Sequence, residues 1–472
     1  MKTAWALLLV ACSAPPPPTT LAEPVAIVPD EQGFVDVPAR SDIRTTARMF
    51  YAFQHADVSG APLVMLTNGG PGFATSFGLL AHGTSRFSVA LARGTNTARV
   101  TPTEGPWTSF ANLLYIDERE TGFSYGIGTH LIPSTACTMD PRSDAADFVR
   151  VVLDFLDGHP ALRGAPVVLA GESYGGMRVT YMLDLLLRYR DEAPLVDDAL
   201  ADRIQQHYDL VFPDLAGTTV PPSRIATQFV AQVMIEPFVG GEAQVTESDT
   251  LFAADPNIAP YRSTRDPYDV RQPIGWSDAL DDAAADVFAN ADAATLLLGG
   301  DLARVPRIGP ADRLEGFRPP PLTPPRPSID ALDAALIARI GALGPSDAYF
   351  RQDSSACMSN PFGASEGALD PFVENLRWVR TFITRATYDA TVCSLSIPKI
   401  LAQAGFGGDV DDAPRDGVVR PGWFDVDIAA SADGTEPATT VTVRFPEYAA
   451  GHMVALDQSR PLRDDVVAWL SD

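Results

Sequence analysis

The chain has 472 residues, of which 46% are hydrophobic and 20% are charged. This composition is typical of a folded globular protein, and it excludes a disordered chain or one made of membrane spans. The formal net charge is −25, and the acidic residues are scattered along the chain. Nucleic acid is therefore excluded as an expected partner, because neutralising phosphates requires Lys and Arg.

The first residues predict an export signal. Lys2 is followed by a short apolar stretch, residues 4–11, which cannot span a bilayer. Residues 9–12, Leu-Val-Ala-Cys, resemble a bacterial lipobox, in which the cysteine becomes the lipidated first residue. We therefore expect residues 1–11 to be a signal peptide and Cys12 to carry lipid.

An ordinary secretory signal, cleaved for example after Ala22, is the alternative. Residues 12–38 are rich in proline at their start and predict a stiff tether, so membrane contact is expected only through the lipid anchor. Three further cysteines would then share an oxidising compartment, leaving one thiol unpaired. No Cys/His cluster indicates a metal site, and no cofactor is expected.

Strand and helix patterns alternate through the first half of the chain. Aromatic, β-branched and apolar runs predict strands at residues 48–55, 62–67, 112–117 and 166–170. Apolar residues at helical spacing predict helices at residues 143–157, with Ser143 as the N-cap, and 177–189. This alternation predicts an α/β fold with a mainly parallel sheet that is covered by helices on both faces.

The alternation of strand and helix patterns weakens after about residue 240. Residues 306–327 carry eight prolines, which exclude a central strand there. We expect residues 241–350 to form a cap inserted between two parts of an α/β-hydrolase core. The predicted core parts are residues 39–240 and 351–472. In the second part, residues 439–445 predict a strand and residues 462–470 a terminal helix.

Residues 171–175, Gly-Glu-Ser-Tyr-Gly, match the G-x-S-x-G motif. A predicted buried strand precedes the motif and a predicted helix follows it, as a nucleophile elbow requires. The helix N-terminus also favours negative charge that develops near the serine. Ser173 is therefore the candidate nucleophile.

A serine nucleophile needs a base, and in this fold the chain order is serine, acid, histidine. His452 is the sole histidine after residue 207 and lies between a predicted strand and the terminal helix. Asp389, which follows the strand-like residues 379–384, is the preferred acid. After Asp389, Ser396-Ile397-Pro398 predicts the start of a helix.

Asp411 or Asp409 is the alternative acid, and either would require residues 399–403 to be a strand instead. Oxyanion stabilisation in this fold uses the N–H of the residue after the nucleophile and one N–H from an early loop. The first is that of Tyr174. The second is expected at Gly70, in the glycine-rich residues 68–72.

Several strings in order resemble the serine carboxypeptidases. They are MFYAF, APLVMLTNGGPG, ANLLYIDERETGFSYG, AGESYGG and AGHMVALDQ, with DPYDVRQP and ADAATLLLGG in the expected cap. The resemblance implies an α/β-hydrolase that removes C-terminal residues from peptides, usually at acidic pH. It also implies that Asn68 and Glu172 contact the terminal carboxylate of the substrate.

The chain departs from that family at several positions. His82 stands where the family has a second glutamate that pairs with the glutamate before the serine, so we expect His82 to bind the substrate carboxylate. Phe73 replaces a family cysteine, whose usual partner corresponds to Cys357. Cys137 is an alternative partner for Cys357, which would leave Cys393 as the free thiol.

Other functions remain open on the sequence alone. An esterase or acyltransferase is possible on the same scaffold, because fold and triad do not fix the substrate. A proline iminopeptidase-like aminopeptidase also has a GGPG loop, but Asn68 stands where that group has histidine. A non-catalytic binding protein is disfavoured by the retained Ser, His and Asp.

Overall fold

The structure is a computed structural model. It describes residues 29–39, 46–76, 78–91, 98–119, 121–127, 140–191, 198–241, 243–244, 246, 369–386, 389, 392, 394–406, 422–431, 434–448, 450 and 452–472.

Fourteen strands are present in these ranges. They are β1 (Glu31–Val37), β2 (Thr46–Gln54), β3 (Leu63–Thr67), β4 (Phe87–Leu91), β5 (Ala98–Pro102), β6 (Asn112–Ile116), β7 (Tyr125–Ile127), β8 (Val167–Glu172), β9 (Phe229–Ile235), β10 (Arg380–Ile383), β11 (Arg385–Ala386), β12 (Trp423–Ile428), β13 (Thr439–Arg444) and β14 (Glu447–Tyr448).

The α-helices of the same ranges, numbered in chain order, are α1 (Pro141–Gly158), α2 (Tyr174–Leu187), α3 (Asp198–Val211), α4 (Pro222–Ile225), α5 (Leu369–Leu376), α6 (Ile397–Leu401), α7 (Val454–Asp457) and α8 (Ser459–Ser471). A π-helical segment, Ala402–Phe406, continues α6.

One ten-stranded sheet organises the fold. Its strand order is β1-β2-β6-β3-β8-β9-β10-β13-β12, with β7 paired to β2. The six central strands, from β6 to β13, run parallel to their neighbours, and the edge pairs are antiparallel. The mainly parallel sheet predicted from the alternating pattern is confirmed.

Both faces of the sheet are buried. On β3, Leu63 and Met65 enter one hydrophobic cluster, and Val64 and Leu66 enter the other. Helices α1, α2, α3 and α5 cover the first face, and α7 and α8 help to cover the second. A strand buried on both sides is continuously apolar, which is why residues 63–66 of β3 and 167–170 of β8 are unbroken hydrophobic runs.

The parallel centre places several strand ends at one edge. The carboxyl ends of β3, β6, β8, β9 and β10 all meet there, because parallel strands share their direction. In open α/β sheets, ligands bind outside this edge. The polar residues that follow these strands therefore lie where a site is expected.

Two sequence predictions need correction. Ser143 is not the N-cap of α1: the helix begins at Pro141, and the side chain of Asp140 accepts the hydrogen bond of Ser143 N–H. Proline at the first helical position leaves the residue before it as the cap. The alternative strand at residues 399–403 is also wrong, because those residues are helical.

Several predictions lie outside the described residues. They include the signal and most of the tether, Cys12, Cys137, Cys357, Cys393, Asp409, Asp411, and the cap apart from residues 241, 243, 244 and 246. The division into core parts and cap stays a prediction. No helix among the described residues is both long and apolar enough to cross a membrane.

Candidate active site

Ser173 lies in a strained turn between β8 and α2. Its backbone has φ 60° and ψ −128°, a conformation that costs a non-glycine residue about 1–3 kcal/mol. The turn also requires small neighbours, since a Cβ on Gly171 would lie 2.1 Å from the carbonyl oxygen of Gly175. This strand, turn and helix have the geometry of a nucleophile elbow.

The structure brings Asp389 and His452 together. Asp389 follows β11, His452 precedes α7, and Nδ1 of His452 lies 2.8 Å from Oδ2 of Asp389. The backbone N–H of Val392 donates to the other carboxylate oxygen, Oδ1, at 3.1 Å. A carboxylate on Nδ1 fixes the tautomer of an imidazole and leaves Nε2 available as a base.

The charges around His452 set the direction of its pKa shift. Burial lowers the pKa of His452, but the charge of Asp389 and its hydrogen bond outweigh burial, with a contribution from Glu172, so the pKa is raised. Glu172 is the residue immediately before Ser173. The imidazole and the carboxyl group that precedes the serine therefore influence each other electrostatically.

The loop after β3 packs directly against the elbow. A Cβ on Gly69 would lie 2.4 Å from the backbone nitrogen of Tyr174 and 2.8 Å from Cβ of Ser173. The next residue, Gly70, is exposed and has φ 108°. Only glycine allows the loop backbone to approach the elbow this closely. The expected oxyanion donors, the N–H groups of Gly70 and Tyr174, thus lie on adjoining segments.

Arg178, which the sequence analysis missed, ties this loop to the elbow helix. It is fully buried on α2 and donates from Nη1 to Thr67 Oγ1 at 2.7 Å and to the carbonyl oxygen of Asn68. It also forms 2.6 Å ion pairs with Asp144 on α1 and with Glu118 after β6. Burial lowers the pKa of Arg178, but the two carboxylates more than offset this and raise it, so the guanidinium stays charged.

Glu118 completes the connection to the loop. The oxygen that pairs with Arg178, Oε2, also accepts the backbone N–H of Gly72 at 2.9 Å. The loop 68–72 is therefore held at both ends by one buried ion-pair network. Arg178 occurs at helical spacing among apolar residues, and a charge within such a stretch is the signal that could have identified it.

Asn68 and Glu172 form a second polar pair beside the serine. Nδ2 of Asn68 donates to Oε1 of Glu172 at 2.6 Å, and Oδ1 of Asn68 accepts the N–H of Leu79 at 2.8 Å. The other oxygen of Glu172, Oε2, is buried and has no hydrogen-bond partner among the described residues. Burial raises the pKa of Glu172 to about 7. The charge of His452 acts against this rise, and the charge of Asp389 adds to it.

His82 lies in a turn attached to this pair. It is 2% exposed, and its backbone N–H donates to the carbonyl oxygen of Gly78 at 2.9 Å. A Cβ on Gly78 would lie 2.4 Å from the side-chain amide of Asn68. The turn therefore packs on Asn68, and the predicted role of His82 towards the substrate stays a proposal.

A second missed residue, Glu236, lies at the end of β9. It is fully buried, has φ 43°, and its carboxyl group accepts hydrogen bonds from Thr384 and Ser394, on either side of Asp389 in the chain. Nothing in its local sequence marks it, because its partners are far away in the chain. Among the described residues, no cluster of three or more His, Cys, Asp or Glu side chains could hold a metal ion.

The sheet order, the flanking helices and the elbow are those of an α/β-hydrolase. Within that class, residues 21–196 match the family model described as serine carboxypeptidase. This segment contains Asn68 and Ser173 but ends before Asp389 and His452.

Individual relatives agree with the family match. The chain is 28% identical over 197 residues to the pheromone-processing carboxypeptidase KEX1 of Tuber melanosporum (strain Mel28), covering 39% of this chain and 30% of that protein. It is 30% identical over 161 residues to serine carboxypeptidase-like 44 of Arabidopsis thaliana, covering 33% of this chain and 31% of that protein. The chain thus spans less than a third of the length of these two relatives.

Among solved structures, KEX1(delta)P, a prohormone-processing carboxypeptidase from Saccharomyces cerevisiae, aligns with 93% of this chain and 91% of its own. The TM-score is 0.52 at 16% sequence identity, so this match concerns the fold. Together the matches confirm the resemblance to serine carboxypeptidases that the motifs indicated.

Proposed function

We propose that the protein is a serine carboxypeptidase that releases C-terminal residues from peptides. The observation that carries this proposal is the buried Asn68–Glu172 pair immediately beside Ser173. It offers a side-chain amide and a carboxyl group of raised pKa, and Oε2 of that carboxyl has no hydrogen-bond partner among the described residues. A protonated carboxyl can donate to the free carboxylate of a peptide, whereas an ester substrate gives it nothing to recognise.

In acylation, Oγ of Ser173 attacks the carbonyl carbon of the last peptide bond. Nε2 of His452 takes the serine proton and then gives it to the leaving amine, while Asp389 stabilises the imidazolium. The N–H groups of Tyr174 and Gly70 stabilise the oxyanion. The C–N bond breaks, the C-terminal amino acid leaves, and the remaining peptide is an ester of Ser173.

In deacylation, water takes the place of the amine. His452 removes a proton from the water, hydroxide adds to the ester carbonyl, and the same N–H groups stabilise the second oxyanion. The proton returns from His452 to Ser173 as the ester bond breaks. The products are the shortened peptide and the free serine.

Blocked dipeptides test this proposal. An N-acyl dipeptide with a free C-terminal carboxylate should be hydrolysed with a higher kcat/KM than the same dipeptide as its C-terminal amide, and Ser173→Ala should abolish both activities. Equal kcat/KM values for acid and amide would contradict the carboxypeptidase assignment.

An esterase or acyltransferase is the second candidate, and His82 is the feature that favours it. The serine carboxypeptidases have a second glutamate where this chain has histidine. Glu172 therefore has no partner acid at that position with which to share a proton and the substrate carboxylate. Preference for simple esters over free-acid dipeptides would support this candidate. Cleavage from the N-terminus of unblocked peptides would instead support a proline iminopeptidase-like aminopeptidase.

We also propose that the protein is exported and anchored to the membrane through lipid on Cys12. The apolar residues 4–11 and the lipobox-like residues 9–12 support this. Metabolic labelling with a radioactive fatty acid tests it, with Cys12→Ser as the matched control. Label that persists in Cys12→Ser would rule out this attachment site, and export without label would indicate an ordinary secretory signal.

A further inference from the structure

Glu236 occupies an unusual backbone position at the carboxyl edge of the sheet. It directly follows β9, the strand between the elbow strand β8 and β10. Among the described residues other than glycine, only Glu236 and Ser173 have positive φ, at 43° and 60° respectively. Such strain persists where the surroundings hold the residue firmly, and it occurs most often at functional sites.

The contacts of Glu236 show what holds it. Its backbone N–H donates to Oγ1 of Thr384 at 2.9 Å, and the same hydroxyl donates to Oε1 of Glu236 at 3.0 Å. Oγ of Ser394 donates to Oε2 at 2.8 Å. Thr384 and Ser394 lie on either side of Asp389 in the chain, so Glu236 spans the base of the segment that carries the proposed catalytic acid.

The carboxyl group of Glu236 also faces that of Asp389, whose charge acts on it. A hydrogen bond between two carboxyl groups requires a proton on one of them, because two ionised carboxylates repel and offer no donor. Asp389 pairs with the imidazole of His452 at 2.8 Å. Glu236 faces hydroxyl groups and Asp389, and burial, followed by the charge of Asp389, raises its pKa well above the ordinary value.

We propose that Glu236 is a positioning residue for the reaction: as a neutral acid, it donates a hydrogen bond to Asp389 and fixes that carboxylate against Nδ1 of His452. This inference rests on the proposed function of the Ser173 site. The proposed bond from Glu236 adds to the bonds that Asp389 accepts from Val392 N–H and His452. No proton is transferred from Glu236 during turnover.

The hydrogen bond from Glu236 should change the pH dependence of kcat. A donor on Asp389 spreads its negative charge, so Asp389 stabilises the imidazolium less and His452 remains a neutral base at lower pH. Removing the donor should raise the pKa of His452 and move the acidic limb of kcat upwards, by roughly one pH unit. Among the described residues, Glu172 also acts on His452, and Asp457 on α7 acts on Glu172 in turn.

Two variants separate the hydrogen bond from the charge. Glu236→Leu removes the donor, and Glu236→Gln keeps a neutral donor of the same length. Neither is β-branched, so neither adds a new backbone penalty at φ 43°. Asp184→Leu is the matched control, because Asp184 is a carboxyl group of α2 that is as deeply buried but pairs with Arg142 and Arg188.

The measurements are kcat and KM for a blocked dipeptide from pH 4 to pH 9, with far-UV circular dichroism to confirm folding. A far-downfield proton NMR signal from His452 Nδ1–H reports the Asp389–His452 bond independently of turnover. For Glu236→Leu we expect kcat to fall roughly ten- to hundred-fold, the factor for one hydrogen bond to a charged group, with little change in KM. For Glu236→Gln we expect less than about a five-fold loss and an unshifted acidic limb.

Wild-type kcat and pH profile in folded Glu236→Leu would overturn the proposal. A downward shift of the acidic limb in Glu236→Gln would also overturn it, because removal of a negative charge would show that Glu236 is ionised. If Glu236→Leu fails to fold, the acidic limb and the Nδ1 proton signal of Glu236→Gln test the proposal instead. If the wild-type protein hydrolyses no peptide, the proposed function fails, and a weakened Nδ1 signal in Glu236→Leu would still show that Glu236 holds the pair.

Discussion

Replacing Glu172 with Gln should make the KM for free-acid peptides independent of pH around neutrality. In the wild type, Oε1 of Glu172 accepts from Asn68, so a proton on Oε2 is the donor available to a substrate carboxylate. Burial raises the pKa of this group to about 7. The donor is therefore present below that pH and is lost, with repulsion added, above it.

The expected magnitude follows from the titration of one group. With a pKa of about 7, about one molecule in eleven is protonated at pH 8, so KM should rise about eleven-fold between low pH and pH 8. Glu172→Gln can keep Oε1 as the acceptor for Asn68 and place an NH₂ group where Oε2 was. At pH 8 its KM should therefore be about ten-fold below that of the wild type.

Initial rates of a blocked dipeptide from pH 5 to pH 9 measure this effect, and the C-terminal amide of the same dipeptide is the control substrate. The amide should show no difference in pH dependence between wild type and Glu172→Gln, since it carries no carboxylate. A rise in KM of the same size in Glu172→Gln would refute the reasoning and assign the titration to another group. An identical effect on acid and amide would show that Glu172 does not contact the substrate terminus.

Four further outcomes are expected. Ser173→Ala and His452→Ala should each reduce kcat by on the order of 10⁶-fold, and the double variant should be little worse, since the two act as a unit; additive losses in burst and steady-state kinetics would contradict this. Asp389→Asn should reduce kcat by roughly 10⁴-fold with KM nearly unchanged, because an amide selects the wrong imidazole tautomer. Arg178→Met should destabilise the fold by about 3–5 kcal/mol in urea unfolding, because two buried carboxylates lose their partner; an unchanged midpoint would show that the network is dispensable. His82→Glu should lower KM for free-acid peptides at acidic pH and leave that for amides unchanged; equal changes for both would remove His82 from carboxylate recognition.

The sheet and the elbow could be predicted from sequence because their signals are local. The run of apolar residues in β8, the flanking glycines and the helical spacing after Ser173 lie within a single stretch of chain. Asp389 could be chosen over Asp411 because the segment after it begins with Ser396-Ile397-Pro398, and the structure has a helix starting at Ile397. The prediction of Ser143 as an N-cap is wrong because Asp140 directly before Pro141 is the stronger cap signal.

The ion-pair network of Arg178 could not be predicted in the same way. Its partners Asp144 and Glu118 are 34 and 60 residues away in the chain, and each of them looks like a surface charge when its own segment is considered. An isolated buried charge is costly, so such groups occur inside proteins only where they are paired. The pairing depends on α1 and α2 packing side by side, which the sequence pattern does not specify.

Strand order explains why Glu236 could not be predicted from the sequence and where similar buried acidic residues lie. Glu172 is the last residue of β8, Glu236 follows β9, and Asp389 comes shortly after β10, so their proximity follows once these strands are known to be neighbours. The chain separates Glu236 from its hydroxyl partner Thr384 by 148 residues, most of them in the predicted cap.

An acidic residue at the end of a buried strand cannot be assigned to a surface or to a site from its local sequence. In a parallel sheet, however, it lies at the edge where ligands bind. At that edge a buried carboxyl group must either be paired or hold its proton. Glu118 meets the first condition through its ion pair with Arg178, although burial still raises its pKa to about 7. Burial also raises the pKa of Glu172, the proposed substrate contact, and that of Glu236, the proposed positioning residue.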